Sequence, residues 1–197
     1  QRVLRPAINE ATVRLLTRHG CEVVVLGNLG CCGALVHHMG REDETLAVVK
    51  ANVEAIEREA EAGGLDAVVI NASGCGTMVK DYGFLLREDP AWAGKAGAIS
   101  ELALDVSELL ARLDPAPRRE VENLRVAYHA ACSLQHGQKV TAEPLALLAQ
   151  VHILLPAASS SITPNGDTFA LPTRCTTLWV RSGGASLQLL LCGAYLW

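Results

Sequence analysis

The chain has 197 residues, with 17 Lys+Arg against 21 Asp+Glu, a formal net charge of -4 and 50% apolar residues, enough for one ordinary globular domain or two small ones. The acidic balance and 4% aromatic content exclude a basic footprint for a phosphate backbone and leave little for bases to stack on. The apolar stretches fall short of the roughly 18 residues that cross a bilayer, and no basic-then-apolar signal segment opens the chain. The expectation is a soluble, cytoplasmic protein with no nucleic-acid partner and no transmembrane segment. Without an initiating Met, it reads as a piece of a longer protein.

In chain order, residues 5–19 place Ile8, Ala11, Leu15 and Leu16 on one helical face, closed by Gly20. Residues 22–26 (EVVVL) are short, apolar and β-branched, as in a strand covered on both faces of a parallel sheet. Small residues follow, then Cys31, Cys32 and Gly33. Residues 42–62 repeat apolar positions at Leu46, Val49, Val53, Ile56 and Ala60, an amphipathic helix that stops at Gly63 and Gly64. A second strand, residues 66–70 (DAVVI), runs into Asn71-Ala72-Ser73-Gly74-Cys75-Gly76, and residues 77–86 read as the next helix. Residues 101–113 give a further helix with Leu102, Val106, Leu109 and Leu110 inward, broken by Asp114 to Pro117. A third strand, residues 124–128 (LRVAY), leads to His129, Ala130, Ala131 and Cys132 and a polar helical stretch.

The same unit therefore occurs three times: apolar strand, loop of small residues carrying cysteine, helix. The fold class is α/β, a mostly parallel sheet with flanking helices. Ligands of such sheets gather at the carboxyl ends of the strands, so the three cysteine loops can converge there. Seven cysteines is an odd number, and a chain of this size needs no staples, so metal or redox chemistry is favoured over a disulfide framework.

Adjacent cysteines close a comfortable disulfide only with difficulty, because the small ring strains the planar trans peptide between them. Side by side, Cys31 and Cys32 suit a polynuclear metal centre or a labile redox pair. Nearby glycines let backbone approach a bulky inorganic ligand and donate N–H bonds to its sulfurs, although tight turns would use them too. Zinc is the competing metal, with Cys75, Cys132, one of the adjacent pair and a histidine among His37, His38, His129 and His136, but without the spacing of the usual zinc modules. A Cys75 thiolate nucleophile lacks an assigned base or oxyanion partner. Cys21, at the entrance of the first strand, reads as packing.

The words Gly30-Cys31-Cys32-Gly33-Ala34-Leu35, Asn71-Ala72-Ser73-Gly74-Cys75-Gly76, Lys80-Asp81-Tyr82-Gly83, Ser100-Glu101-Leu102-Ala103-Leu104-Asp105-Val106 and His129-Ala130-Ala131-Cys132-Ser133-Leu134-Gln135-His136 resemble the glycolate oxidase iron-sulfur subunit family. More broadly they resemble the cysteine-rich CCG domain shared with the CCG-bearing subunit of heterodisulfide reductase, lactate-utilisation proteins and the small subunit of anaerobic glycerol-3-phosphate dehydrogenase. The likeness runs from about residue 1 to 150. It implies an electron-transfer subunit holding a 4Fe-4S type iron-sulfur cluster, beside flavoprotein subunits whose FAD oxidises a 2-hydroxy acid such as glycolate. Such a complex would work in the cytoplasm, peripherally associated with the inner face of the cell membrane. By motif match Cys31, Cys32 and Cys75 fall on ligand positions of a first cysteine-rich domain, residues 1–115, and Cys132 on the first such position of a second, truncated at residues 121–150.

Three departures accompany the likeness. The family's amino-terminal ferredoxin-like module with its C-x-x-C-x-x-C runs is not present, and the cysteine expected ahead of the segment matching residues 1–9 would lie before Gln1. After Gln150 the expected second C-C-G does not arrive. Residues 151–197 hold only Asp167, Arg174 and Arg181 as charged side chains and show no clear periodicity, so this tail reads as frame-shifted or unrelated sequence, and Cys175 and Cys192 are not taken as ligands. With its ligand set incomplete the chain is expected to bind a cluster poorly or not at all, and a zinc-binding or metal-free docking module of a related oxidoreductase is the alternative.

Overall fold

The computed structural model describes residues 6–27, 29–113 and 128–150, and the backbone of 176–180, 187–188 and 192–193. Its elements are α1 (Pro6–Arg18), β1 (Cys21–Val24), α2 (Ala34–His38), α3 (Glu42–Gly63), β2 (Ala67–Ile70), α4 (Ser73–Lys80), α5 (Tyr82–Leu85), α6 (Ala93–Leu102), β3 (Ala103–Asp105), α7 (Val106–Leu113), a wide turn at Ser133–Gly137, α8 (Glu143–Gln150), β4 (Thr176–Val180), β5 (Leu187–Gln188) and β6 (Cys192–Gly193). The α/β class expected from the alternation of strands and helices is what forms.

Strand β2 is the centre of the fold. All four of its residues are buried, and they alternate between two cores. Val68 and Ile70 face one core with Val49, Val53 and Ile56 of α3, Met78 and Val79 of α4, and Ala96 and Ile99 of α6. Ala67 and Val69 face the other with Leu16 of α1, Leu104 of β3 and Leu109 of α7. Continuous apolar strands are the signature of a sheet covered on both sides, and this one has helices on each. Strand β3 pairs parallel with β2, Val69 opposite Leu104. Strand β4 runs antiparallel between β1 and β2, and β5 adds parallel to β1, giving the order β3-β2-β4-β1-β5 with β6 on β4.

Several elements differ from expectation. Helix α1 buries Asn9, Thr12 and Leu16 and leaves Ile8 and Leu15 exposed. The reason is polar: Asn71, just after β2, donates from Nδ2 to Asn9 Oδ1 at 3.3 Å and to Thr12 Oγ1 at 3.1 Å, turning that face inward. The segment expected as one helix over 101–113 contains β3, because Ala103–Asp105 take up the ladder beside β2 between α6 and α7. The helix expected from residue 77 begins at Ser73, so Cys75 sits in a first helical turn rather than a loop, and Asp81 ends it short of α5. β1 is covered only in part, with Glu22 exposed. Residues 124–127 of the third expected strand, and the boundary near 115–121, lie outside the described residues. In the tail, where the sequence shows no periodicity, Thr176–Val180 nevertheless pairs as a strand; five β-branched and aromatic-rich residues are too short a run to show a period.

Candidate metal centre

The Cys31–Cys32 loop follows β1 at its carboxyl end. Cys31 is half-buried, Cys32 is 4% exposed, and Gly33, at φ 93, turns the chain into α2. That backbone angle is open to glycine and strained for other residues, and a Cβ there would lie 3.2 Å from Met78 Cε of α4.

Two buried polar side chains hold the loop from below. Asn52 of α3 donates from Nδ2 to the Cys31 carbonyl at 2.8 Å and to the Tyr82 hydroxyl at 3.1 Å. The Tyr82 hydroxyl in turn donates to the Cys32 carbonyl at 2.9 Å. Asn52 interrupts the apolar stripe Val49, Val53 and Ile56. Each fully buried aliphatic of that stripe contributes about 1.5–3 kcal/mol, so α3 can carry one buried amide provided it is hydrogen-bonded. Tyr82 enters the sequence reading only within the word Lys80-Asp81-Tyr82-Gly83 and Asn52 not at all, yet an Asn inside an apolar helical stripe is the available signal.

The Cys31 thiol is lowered to about 6, first by the hydrogen bond from the Cys32 thiol and further by the N–H groups of Gly33, Leu35 and Cys32, against the opposing effect of burial. These hydrogen bonds favour the thiolate, the form that binds soft metals and attacks electrophiles. Cys21 behaves oppositely: packed at the start of β1, its thiol is pushed up to about 11 by desolvation, as an inert core residue.

Cys75 lies in the first turn of α4, fully buried in the same core as Cys32. Its sulfur is disulfide-bonded. In that state it is no thiolate ligand; two-electron reduction would restore one. Cys132 is a free, exposed thiol at the start of the Ser133–Gly137 turn. The turn is fastened to α4: the Ser133 hydroxyl donates to Ser73 Oγ at 2.7 Å, Thr77 Oγ1 to the Ser133 carbonyl at 3.1 Å, and Gln138 Nε2 to the Ser73 carbonyl at 2.8 Å. Gly76 and Gly137 leave the room for it.

The topology thus brings the stretches carrying all four cysteines to the carboxyl end of the sheet. Among the described residues, no group of three or more Cys, His, Asp or Glu side chains is placed to hold a metal ion. The donor chemistry that suits a soft metal is most developed at Cys31 and Cys32. His37, His38, His129 and His136 are all exposed. His37 faces Asp81, whose carboxyl is raised by burial, with the histidine opposing. A second group of polar residues, at the end of β3, leaves no mark in the sequence pattern: the buried Asp105 accepts from the N–H and hydroxyl of Ser107, while Glu108 accepts from the Asp105 N–H at 2.7 Å and pairs with Lys80.

Residues 1–80 match the model of the CCG cysteine-rich domain, a span that includes Cys31, Cys32 and Cys75 but not Cys132. The chain is 40% identical over 144 residues to the glycolate oxidase iron-sulfur subunit of Escherichia coli (strain K12), a match covering 73% of this chain and 35% of that protein. It is 34% identical over 145 residues to a subunit of the fumarate reductase (CoM/CoB) of Methanothermobacter marburgensis, covering 73% of this chain and 26% of that protein. It is 29% identical over 178 residues to the lactate utilization protein A of Shouchella clausii (strain KSM-K16), covering 86% of this chain and 70% of that protein. No solved structure matches. The chain spans about a third of the length of the Escherichia coli relative. Residues 1–80 are thus similar to the CCG cysteine-rich domain, and the chain is similar to glycolate oxidase iron-sulfur subunits over about three quarters of its length.

Proposed function

We propose that the chain is the cysteine-rich part of an iron-sulfur electron-transfer subunit in a complex that oxidises glycolate or a similar 2-hydroxy acid. Flavoprotein subunits carrying FAD would remove the electrons from substrate, on the cytoplasmic side and in peripheral contact with the membrane. No helix among the described residues is long and apolar enough to cross one. The observation that carries the reading is the Cys31–Cys32 loop: a stabilised thiolate beside a second thiol, on a backbone seated by buried donors, within the matched cysteine-rich domain. An inert packing pair needs neither the lowered thiol nor the partial exposure.

Cys31, Cys32, Cys75 and Cys132 are the candidate ligands, Cys75 only after reduction. With part of the family's ligand set missing from this sequence, the chain alone is expected to take up iron below one cluster per molecule. Anaerobic expression under reduction, reconstitution with ferrous iron and sulfide, and assay of iron, acid-labile sulfide and electron paramagnetic resonance test this. Thiol-dependent iron that disappears in Cys31→Ser and Cys32→Ser supports the reading. Zinc without iron, or binding of flavin subunits undiminished with no metal at all, refutes it in favour of a zinc or docking module.

A further inference from the structure

We propose that Asn52 and Tyr82 are positioning residues for the adjacent cysteines, fixing which thiol the molecule presents and which it withholds. The inference rests on the reading of this pair as the ligand loop, but its test does not depend on metal. The loop is bounded by Gly30 and Gly33, so its backbone is inexpensive to rearrange. A rotation of the backbone that turns both Cys31 and Cys32 about the chain axis would exchange the outward and inward sulfurs.

Two hydrogen bonds oppose that rotation. The carbonyl of Cys31 is held by α3 through Asn52, and that of Cys32 by α5 through Tyr82. The third bond, Asn52 to Tyr82, ties the two donors together, so the peptide units on both sides of Cys32 are pinned by one buried chain. Asn52 and Tyr82 are 4% and 1% exposed, which removes water as a substitute partner. With both carbonyls pinned, Cys32 stays in the core beside Cys75, and Cys31 stays half-exposed where the N–H groups of Gly33 and Leu35 reach it. Both residues act through the cysteines' backbone, since these bonds to the loop end on carbonyl oxygens.

The test is trace alkylation of the reduced, metal-free full chain with iodoacetamide, read site by site by mass spectrometry, with buried Cys21 as the internal report on folding. In the wild type, Cys31 should react about tenfold or more faster than Cys32, the difference expected between an open site and one reached only by local opening. Tyr82→Phe, which keeps the ring, should bring that ratio to about twofold or less while Cys21 stays protected. Asn52→Leu, which keeps the volume, should do the same. An unchanged ratio in both variants, or a wild-type ratio near one, overturns the proposal. So does loss of Cys21 protection in both variants, because the pair would then be holding the fold rather than the loop. A wild-type preference for Cys31 in protein that takes up no iron leaves the positioning role standing and removes the electron-transfer reading instead.

Discussion

Replacing Gly33 with Ala tests whether the turn after the two cysteines is as constrained as its geometry indicates. At φ 93 the residue occupies backbone space that costs an L-residue roughly 1–2 kcal/mol. The added Cβ also lies 3.2 Å from Met78 Cε, 3.6 Å from Val49 Cγ2 and 3.7 Å from Val48 Cγ1. Only the first is tight, and a methionine end can yield, so crowding adds little. Against this, Ala restricts the unfolded chain and recovers about 0.4–1 kcal/mol. The net loss is about 1 kcal/mol, which lowers the urea midpoint by about 0.5 M for a slope near 2 kcal/mol/M. Gly30→Ala is the control, since its Cβ meets nothing within 4 Å and its φ is not positive. Gly33→Asn, which tolerates left-handed backbone better, should fall between them. If Gly33→Ala and Gly30→Ala unfold at the same midpoint, the loop is softer than described and the argument for a built thiol seat fails with it.

Two further outcomes are expected. Burial raises the Asp105 carboxyl, and Glu108 adds to it, while Ser107 and Lys80 oppose. A carboxyl raised in the folded state contributes stability that is complete below its unfolded pKa and is lost as pH rises through the folded value. Asp105→Asn keeps an Oδ1 for Ser107, so it should gain on the wild type in urea denaturation as pH rises above the ordinary carboxylate value near 3.8; a pH-independent gap between the two would contradict this. At Gly137 a Cβ would stand 2.9 Å from Thr77 Oγ1 and 3.1 Å from its Cγ2, and that hydroxyl is already committed to the carbonyls of Ser73 and Ser133. Gly137→Ala should therefore loosen residues 128–150, raising their cleavage in limited proteolysis about tenfold, with the reactivity of Cys31 unchanged; equal cleavage rates would show that this contact is not what fastens the segment.

What is legible in the sequence follows the length of the signal. The stripe Leu46, Val49, Val53, Ile56 spans three turns of α3 and the buried run of β2 is unbroken, so periodicity alone locates both. Ala103–Asp105 is three residues between two helical patterns, and only its pairing with β2 makes it a strand. The inward face of α1 departs from its pattern for a different reason. Hydrophobicity favours Ile8 and Leu15, but the side chain of Asn71, about sixty residues away, draws Asn9 and Thr12 inward, and such a long-range polar partner leaves no periodic trace. At the candidate site the cysteines are visible as words, and so is the end of the sheet to which they go. Their sulfur-to-sulfur relation and the buried seat of Asn52 and Tyr82 depend on packing between α3, α5 and the loop, which no local pattern encodes.

One element meets every part of this site. Helix α4 carries Cys75 in its first turn, supports the glycine turn after Cys32 through Met78, and receives the Cys132 segment through Ser73 and Thr77. At its last residue, Lys80 pairs with Glu108 and so ties the helix to the end of β3. A shift of α4 along its axis would therefore change the surroundings of all four cysteines together, whereas a change in α2 or α8 would reach only one end of the set. Because interiors are packed too densely to deform smoothly, such a shift would be a step between discrete arrangements. The bond from the Thr77 hydroxyl to the Ser133 carbonyl and the Lys80–Glu108 pair are the contacts such a shift would strain.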